Sequence, residues 1–285
     1  MRRRVIAVSG GVDSVTLLHM MACDTPRDAL IVAHFDHGIR HNSADDAVFV
    51  QKLAQHYGVL YETTREELGR NASEELARDR RYAFLRSIAK KYDADIVTAH
   101  HLDDLVETIA INITRGTGWR GLAVLDRGDT TRPLLHMTKK EIIEYAKFHN
   151  LEWHDDETNQ NIEYLRNKLR QKLAGFSDDT KTALKMYRDR QVVIKQRVKD
   201  EAGRIIGAAP YRRYIFVNVD EQVGIELLRA VFIRERLQPP IRPQLQRVLL
   251  AVKTYQSGKC YEVGDGIEIR FTKTTFIVQK RGEMV

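Results

Sequence analysis

The sequence predicts an α/β protein: a doubly wound parallel sheet followed by a smaller C-terminal α+β domain. Three observations carry that prediction. Short apolar runs recur at 5–8, 29–35, 59–62 and 94–99 with helical patterns between them, the alternation of a parallel sheet with right-handed crossovers. The first run ends in a glycine turn, Ser9-Gly10-Gly11-Val12-Asp13-Ser14, which opens a helix. The charge then changes sign, since residues 1–160 carry a net −4 and residues 161–285 a net +11. A chain of 285 residues exceeds the usual size of one domain. The expected division is a domain at 1–176, a connecting helix or linker at 177–210 and a domain at 211–285.

The elements follow in order. The run Val5–Val8 is a buried strand, and Val15–Met21 reads as the helix after the turn. Ser43 and Asp46 fit a capping box, Ala47, Val50, Leu53, Ala54 and Tyr57 share one helical face, and Gly58 stops the helix. The next helix places Ala77, Phe84, Ile88 and Tyr92 on one face. Another, from about Asp103 to Arg115, buries Leu102, Val106, Ile109 and Ile113. Thr138 and Glu141 cap a helix carrying Ile142, Ile143 and Ala146. Residues 177–206 read as one long charged helix with Leu184, Tyr187, Ile194, Val198 and Ile205 three, four or seven apart. It serves either as a connector between domains or as a core helix of the second. The C-terminal part predicts a strand at Tyr214–Val219 and a helix around Ile225–Arg236. Pro239, Pro240 and Pro243 form a break, a helix then runs to about Tyr255, and strands within Lys259–Lys280 turn at Gly264-Asp265-Gly266.

Composition excludes several classes. Hydrophobic residues make up 43% and charged residues 30%, the balance of a soluble globular protein. No apolar run approaches the ~20 residues that span a bilayer. The basic start Arg2-Arg3-Arg4 precedes only four apolar residues, too few for a secretory signal. Cys23 and Cys260 stand alone with no CxxC, which points to a reducing, cytoplasmic setting and away from an iron–sulfur cluster or cysteine zinc site. A basic second half beside an acidic first half predicts a polyanion-binding domain joined to a catalytic one, or a merely solvated basic surface.

The motifs stand where such a sheet binds ligands, beyond the carboxyl ends of its strands. In the turn, Gly10 and Gly11 let the backbone approach an anion, Ser9 and Ser14 offer hydroxyls, and the first helical N–H groups lack intrahelical partners. There is no lysine in the loop, so it is not a Walker A motif. Asp13 would repel a phosphate unless a cation intervened, which predicts Mg²⁺. After the second strand comes His34-Phe35-Asp36-His37-Gly38-Ile39-Arg40. Asp36 suits an ammonium and Arg40 a carboxylate or phosphate, or the segment is a polar loop. After the fourth strand, Asp103 and Glu107 in His100–Thr108 share a helix face. They hold Mg²⁺ or its waters, or act as ordinary partners of the helix dipole. Arg115-Gly116-Thr117-Gly118-Trp119-Arg120-Gly121 is a phosphate-binding loop or a plain helix stop. Asp155-Asp156-Glu157-Thr158-Asn159 precedes Arg166, Asn167 and Arg170, acids beside a basic helix that could grip a zwitterion and a phosphate together.

The hexapeptide SGGVDS resembles the PP-loop of the ATP pyrophosphatases, which implies the adenine-nucleotide α-hydrolase-like version of the doubly wound sheet. The ordered set SGGVDS, HFDHGIR, HHLDD, RGTGWRGL, RPLL, DETN and RNKLR, spanning residues 5–173, is similar to the tRNA(Ile)-lysidine synthetase family. The C-terminal part resembles that family's first tRNA-binding appendage more weakly, and a second appendage is missing, which implies a short form. Glu157 stands where the family often has Pro, and Thr158 where it has Ser. The resemblance implies ATP-dependent ligation of L-lysine to C2 of the wobble cytidine in the CAU anticodon of an isoleucine tRNA, releasing pyrophosphate and AMP. It implies Ser9, Gly10, Gly11, Val12, Asp13 and Ser14 for ATP, Asp13 with Asp103 for Mg²⁺, and Asp36, Asp156 and Glu157 for lysine. Asp13, Asp36 and Asp156 would then carry catalysis, and Arg40, Arg115, Arg166 and Arg170 would contact phosphate or RNA. A homodimer is a further implication. The rival readings are a thiolase-type or ammonia-using PP-loop enzyme, and an RNA-binding protein that keeps ATP as a structural ligand.

Overall fold

In the computed structural model, residues 2–38, 43–69, 73–126, 128–154, 169, 172–173 and 175–282 are described. They form two compact units, Met1–Val192 and Val193–Val285.

The first unit is built on a five-stranded sheet of order β3-β2-β1-β4-β5. Its strands are β1 Arg3–Ala7, β2 Leu30–Asp36, β3 Leu60–Arg65, β4 Ala94–Val97 and β5 Thr130–Thr131. Every pairing is parallel, with Val5 opposite Ile31 and Ile96. The first four strands lie where the apolar runs predicted them; β5 is only two residues long and carries no apolar signal.

Side chains alternate between the two faces. Ile6, Val8, Leu30 and Val32 join a cluster with Leu17, Leu18, Val50, Ala54, Ile142 and Ala146. These come from the helices α1 Val12–Asp24, α2 Ser43–Tyr57 and α5 Lys139–Phe148. Val5, Ile31, Ala33 and Ile96 face the other way, onto Tyr82, Leu85 and Ile88 of α3 Glu74–Tyr92. Both faces are thus covered, which is why all seven residues of β2 are buried. The helix α4 Leu102–Thr114 has its own cluster of Leu102, Leu105, Val106 and Ile109 with Val124.

The second unit holds a four-stranded sheet of order β6-β9-β8-β7, with β6 Tyr211–Arg212, β7 Cys260–Gly264, β8 Ile267–Phe271 and β9 Thr275–Lys280. Its described pairings are antiparallel. The predicted strand at Tyr214–Val219 is corrected: β6 ends at Arg212 and α7 occupies Arg213–Val217. The apolar run looked like a strand, but its faces do not alternate. Phe216 is buried against Phe276, with ring centroids 5.4 Å apart, while Tyr214 is 70% exposed. Arg213 fixes the turn by donating to the carbonyls of Val252, Thr272 and Tyr255. The helices α8 Glu221–Arg234 and α9 Arg242–Thr254 then supply Leu228, Val231, Phe232, Leu245, Val248 and Val252 to this core.

The long helix α6 spans Asp178–Ile206, and the division between units falls inside it. In the first unit, Lys181 pairs with Asp103 at 2.7 Å. Arg188, only 8% exposed, donates to the carbonyls of Val124 and Leu125 at 2.7 Å each. In the second, Ala202 and Ile206 belong to the core, and Arg234 donates to the Gly203 carbonyl.

Candidate active site

Strand β1 stops at Ala7, and α1 begins at Val12 with Gly11 as its N-cap. Among the described residues no side chain caps this helix, so its positive end faces the loop. The two glycines have different reasons to be there. Gly10 has φ +96°, a conformation L side chains rarely adopt. Gly11 has φ −75°, and an added Cβ would meet nothing closer than 3.9 Å. Space for an approaching ligand, not backbone conformation, is what glycine supplies there.

Ser14 is buried and braces the loop. Its Oγ accepts from the N–H groups of Ser9 and Gly10 at 3.2 Å each and donates to the Gly11 carbonyl at 2.9 Å. Its hydroxyl proton therefore points into the turn. The opposite rim is pinned by His154, whose N–H donates to the Gly10 carbonyl at 3.0 Å. The His154 ring stacks on Phe49 at 4.2 Å, and its Nδ1 lies 2.7 Å from Asp46. A hollow of about 510 Å³ lined by Phe49, Leu151, Glu152, Trp153 and His154 opens beside this rim.

Asp13, in the first turn of α1, meets two groups that the sequence reading did not single out. Lys139 Nζ lies 2.5 Å from Asp13 Oδ1, and His101 Nε2 lies 3.9 Å from Oδ2. Lys139 is the first residue of α5. The preceding turn is locked by the predicted capping box: Thr138 accepts from the Glu141 N–H at 3.2 Å, and Glu141 accepts from the Thr138 N–H at 2.7 Å. Asp103 Oδ2 accepts the Lys139 N–H at 2.7 Å, while Asp103 Oδ1 accepts from Lys181. Burial alone would raise the Asp103 carboxyl, but Lys181 and the Lys139 N–H outweigh it and hold the acid below its ordinary range. Asp104 is held above that range by burial and by the charges of Asp13 and Glu107. Neighbouring His100 is pushed down to about 3, by burial first and then by Arg132, Arg81 and Arg78.

The pair Asp13 and Asp103 fits Mg²⁺ unequally. Both oxygens of Asp103 already accept from N–H groups, so it anchors α5 and α6. Asp13 is held through Oδ1 by Lys139, while its Oδ2 has only the 3.9 Å approach of His101 Nε2. Among the described residues no group of three or more His, Cys, Asp or Glu converges as a metal cage. Mg²⁺ needs no such cage, because it commonly rests on one or two carboxylates plus phosphate oxygens and water. Asp13 alone suits that use.

Asp36 stands at the end of β2, 5% exposed. Its Oδ1 accepts the Gly38 N–H at 2.9 Å, and its Oδ2 accepts from Arg65 at 3.2 Å. Arg65 is held more tightly by Glu67, through Nε at 2.9 Å and Nη2 at 2.7 Å. Arg115 caps the C-terminal end of α4, about 20 Å along the helix from Leu102 at its start. Arg40, Asp156, Glu157, Arg166 and Arg170 lie outside the described residues.

A glycine elbow on a parallel sheet, with an uncapped helix end and an acid–lysine pair, defines a nucleotide-binding α/β unit. The chain belongs to the PP-loop family, whose domain matches residues 1–175. Curated relatives carry the name tRNA(Ile)-lysidine synthase. The one from Thermotoga maritima is 38% identical over 180 residues, covering 59% of this chain and 44% of the relative. That from Legionella pneumophila (strain Paris) is 36% identical over 180 residues, 60% and 42%. That from Bacillus cereus is 42% identical over 183 residues, 58% and 38%. The matched region thus spans less than half the length of these relatives. Among solved structures, the U34-tRNA thiolase NcsA from Methanococcus maripaludis with its [4Fe-4S] cluster aligns at TM-score 0.56 and 20% identity, covering 67% of this chain and 72% of that one. That likeness is one of fold.

Proposed function

We propose that this protein is a tRNA(Ile)-lysidine synthetase acting on the CAU-anticodon isoleucine tRNA. The observation that carries the reading is the 36–42% identity of the glycine-elbow unit to relatives of that name.

The reaction has two steps. The C2 carbonyl oxygen of the wobble cytidine attacks the α-phosphorus of ATP, and pyrophosphate leaves. The ε-amine of lysine then attacks C2 and AMP leaves, converting recognition of AUG to AUA. Ser9, Gly10, Gly11, Val12, Asp13 and Ser14 form the cradle for the phosphates that become pyrophosphate, Ser14 by bracing the loop from within, with the positive end of α1 beneath them. Mg²⁺ on Asp13 offsets charge on the leaving group when bound. Lysine has an ordinary pKa of about 10.4 and attacks only when neutral, so carboxylates must orient it and take its proton. Asp36, Asp156 and Glu157 are assigned to that role. Asp36 becomes available if Arg65 gives up its one 3.2 Å bond and keeps its two shorter bonds to Glu67. Arg40, Arg115, Arg166 and Arg170 serve phosphate or RNA. The chain works in the cytoplasm, and a homodimer is consistent with the family.

A thiolase is disfavoured by the cysteines. Cys23 and Cys260 are both exposed and lie far apart in the sequence with no CxxC spacing, unlike the closely spaced thiolates that hold an iron–sulfur cluster. The deciding assay incubates the protein with ATP, Mg²⁺, ¹⁴C-lysine and the isoleucine tRNA. Label enters the tRNA, with pyrophosphate and AMP released in equal amounts. Unlabelled tRNA in a preparation that binds ATP overturns the assignment.

A further inference from the structure

We propose that Lys139 is the phosphate-binding cation of the glycine elbow, supplied from 126 residues downstream of the acid it pairs with. The inference rests on the reading of residues 9–14 as a triphosphate cradle and goes beyond it.

Between Val5 and Pro26 the chain contains no lysine or arginine. The elbow therefore offers the Ser9 hydroxyl, N–H groups and a helix end, and adds the negative charge of Asp13. A triphosphate seated there needs a cation. In Walker loops a lysine of the motif itself reaches the terminal phosphates. Here the ammonium of Lys139 stands against the acid of the elbow, 2.5 Å from Asp13 Oδ1. It is 42% exposed on its side chain, so an incoming anion can reach it without unpacking the core. Lys181, the other lysine of the cluster, is 13% exposed and tied to Asp103 and Asp178.

Lys139 has a fixed backbone, and its ammonium is then held by Asp13. It is the first residue of α5, its own N–H is held by Asp103, and the Thr138–Glu141 box closes the same turn. Asp103 is accordingly a positioning residue acting through Lys139. When phosphate oxygens arrive, the ammonium bridges them to Asp13, and a charge-assisted hydrogen bond replaces a repulsion.

The test is calorimetric titration of the full chain with pyrophosphate and with ATP, in EDTA and again in Mg²⁺. Lys139→Met weakens pyrophosphate binding in EDTA about tenfold or more, Lys139→Arg restores most of it, and the melting temperature moves little. Lys140→Met removes the same charge one residue on, where the side chain is 78% exposed and faces Glu144, and leaves binding unchanged. Asp103→Ala weakens binding in the natural background and adds nothing to Lys139→Met, the coupling expected of a residue acting through another. Equal binding by Lys139→Met and the natural protein overturns the proposal while the cradle stands, as does equal weakening by Lys140→Met. A natural protein that binds neither pyrophosphate nor ATP overturns the cradle and the proposal together.

Discussion

The two glycines of the elbow separate a folding requirement from a binding requirement. Gly10 occupies φ +96°, where a Cβ strains the backbone by roughly 1–2 kcal/mol. The same Cβ would come within 3.5 Å of Phe49. Gly11 is in ordinary extended space with no close neighbour for a Cβ. Gly10→Ala should therefore lower the melting temperature and weaken ATP together. Gly11→Ala should keep the melting temperature and lose ATP, because its methyl group fills the approach to the first N–H groups of α1. Thermal unfolding and ATP titration of the two variants check this; equal loss of stability in both contradicts the distinction. From sequence the glycines were equivalent, since Gly-Gly carries no mark of which residue takes positive φ. Ser14 was likewise legible as a hydroxyl in the right place, but not as one turned inward. Lys139 left one usable sign: it follows the N-cap residue of a capping box that opens a helix, and in a parallel sheet such helix starts lie on the ligand side.

At the scale of elements, legibility tracked how much apolar pattern each one carries. The strands β1 to β4 and the helices of the first unit announce themselves, because elements buried against a two-sided sheet need continuous or periodic apolar residues. The two-residue β5 has none, and α7 hides a helical turn inside a strand-like run because one anchor, Phe216, outweighs local propensity. The first turn of α4 shows a subtler conflict. Acids there suit the helix dipole, yet Asp104 is held above its ordinary range by burial and by Asp13 and Glu107, with 28% of its side chain exposed. A raised folded pKa means the ionised form opposes folding above the unfolded value of about 3.9. Below that value both states are protonated and the penalty vanishes. Asp104→Asn still offers an oxygen to the His101 N–H. It should raise the melting temperature at pH 7 by about 2 °C, with the gain fading as the pH falls through 4. A melting series against pH checks the sign: a gain that grows in acid contradicts it.

For the whole molecule, the division at Val192 changes how the charge is read. Residues 193–285 carry 17 Lys and Arg against 10 Asp and Glu. That accounts for the full net charge of +7, and the first unit is neutral. The basic character belongs to the second unit, and any polyanion held there by phosphate contacts would bind with a steep salt dependence. The boundary itself is testable because α6 does structural work in the first unit. The buried Arg188 satisfies two carbonyls, and Lys181 neutralises Asp103. A fragment of residues 1–192 keeps both, so it should fold cooperatively and bind ATP. A fragment of residues 1–176 leaves the Val124 carbonyl without the Arg188 donor, the Leu125 carbonyl with Arg132 alone, and Asp103 without its lysine. Unpaired buried polar groups cost about 1–3 kcal/mol each, which should lower its melting temperature by about 5 °C or more. It should also loosen the turn that presents Lys139. Equal melting temperatures and equal pyrophosphate affinities for the two fragments would show that residues 177–192 are only a tether. A gap between them would show that the first half of α6 is part of the catalytic unit, with the ATP site dependent on it through Asp103.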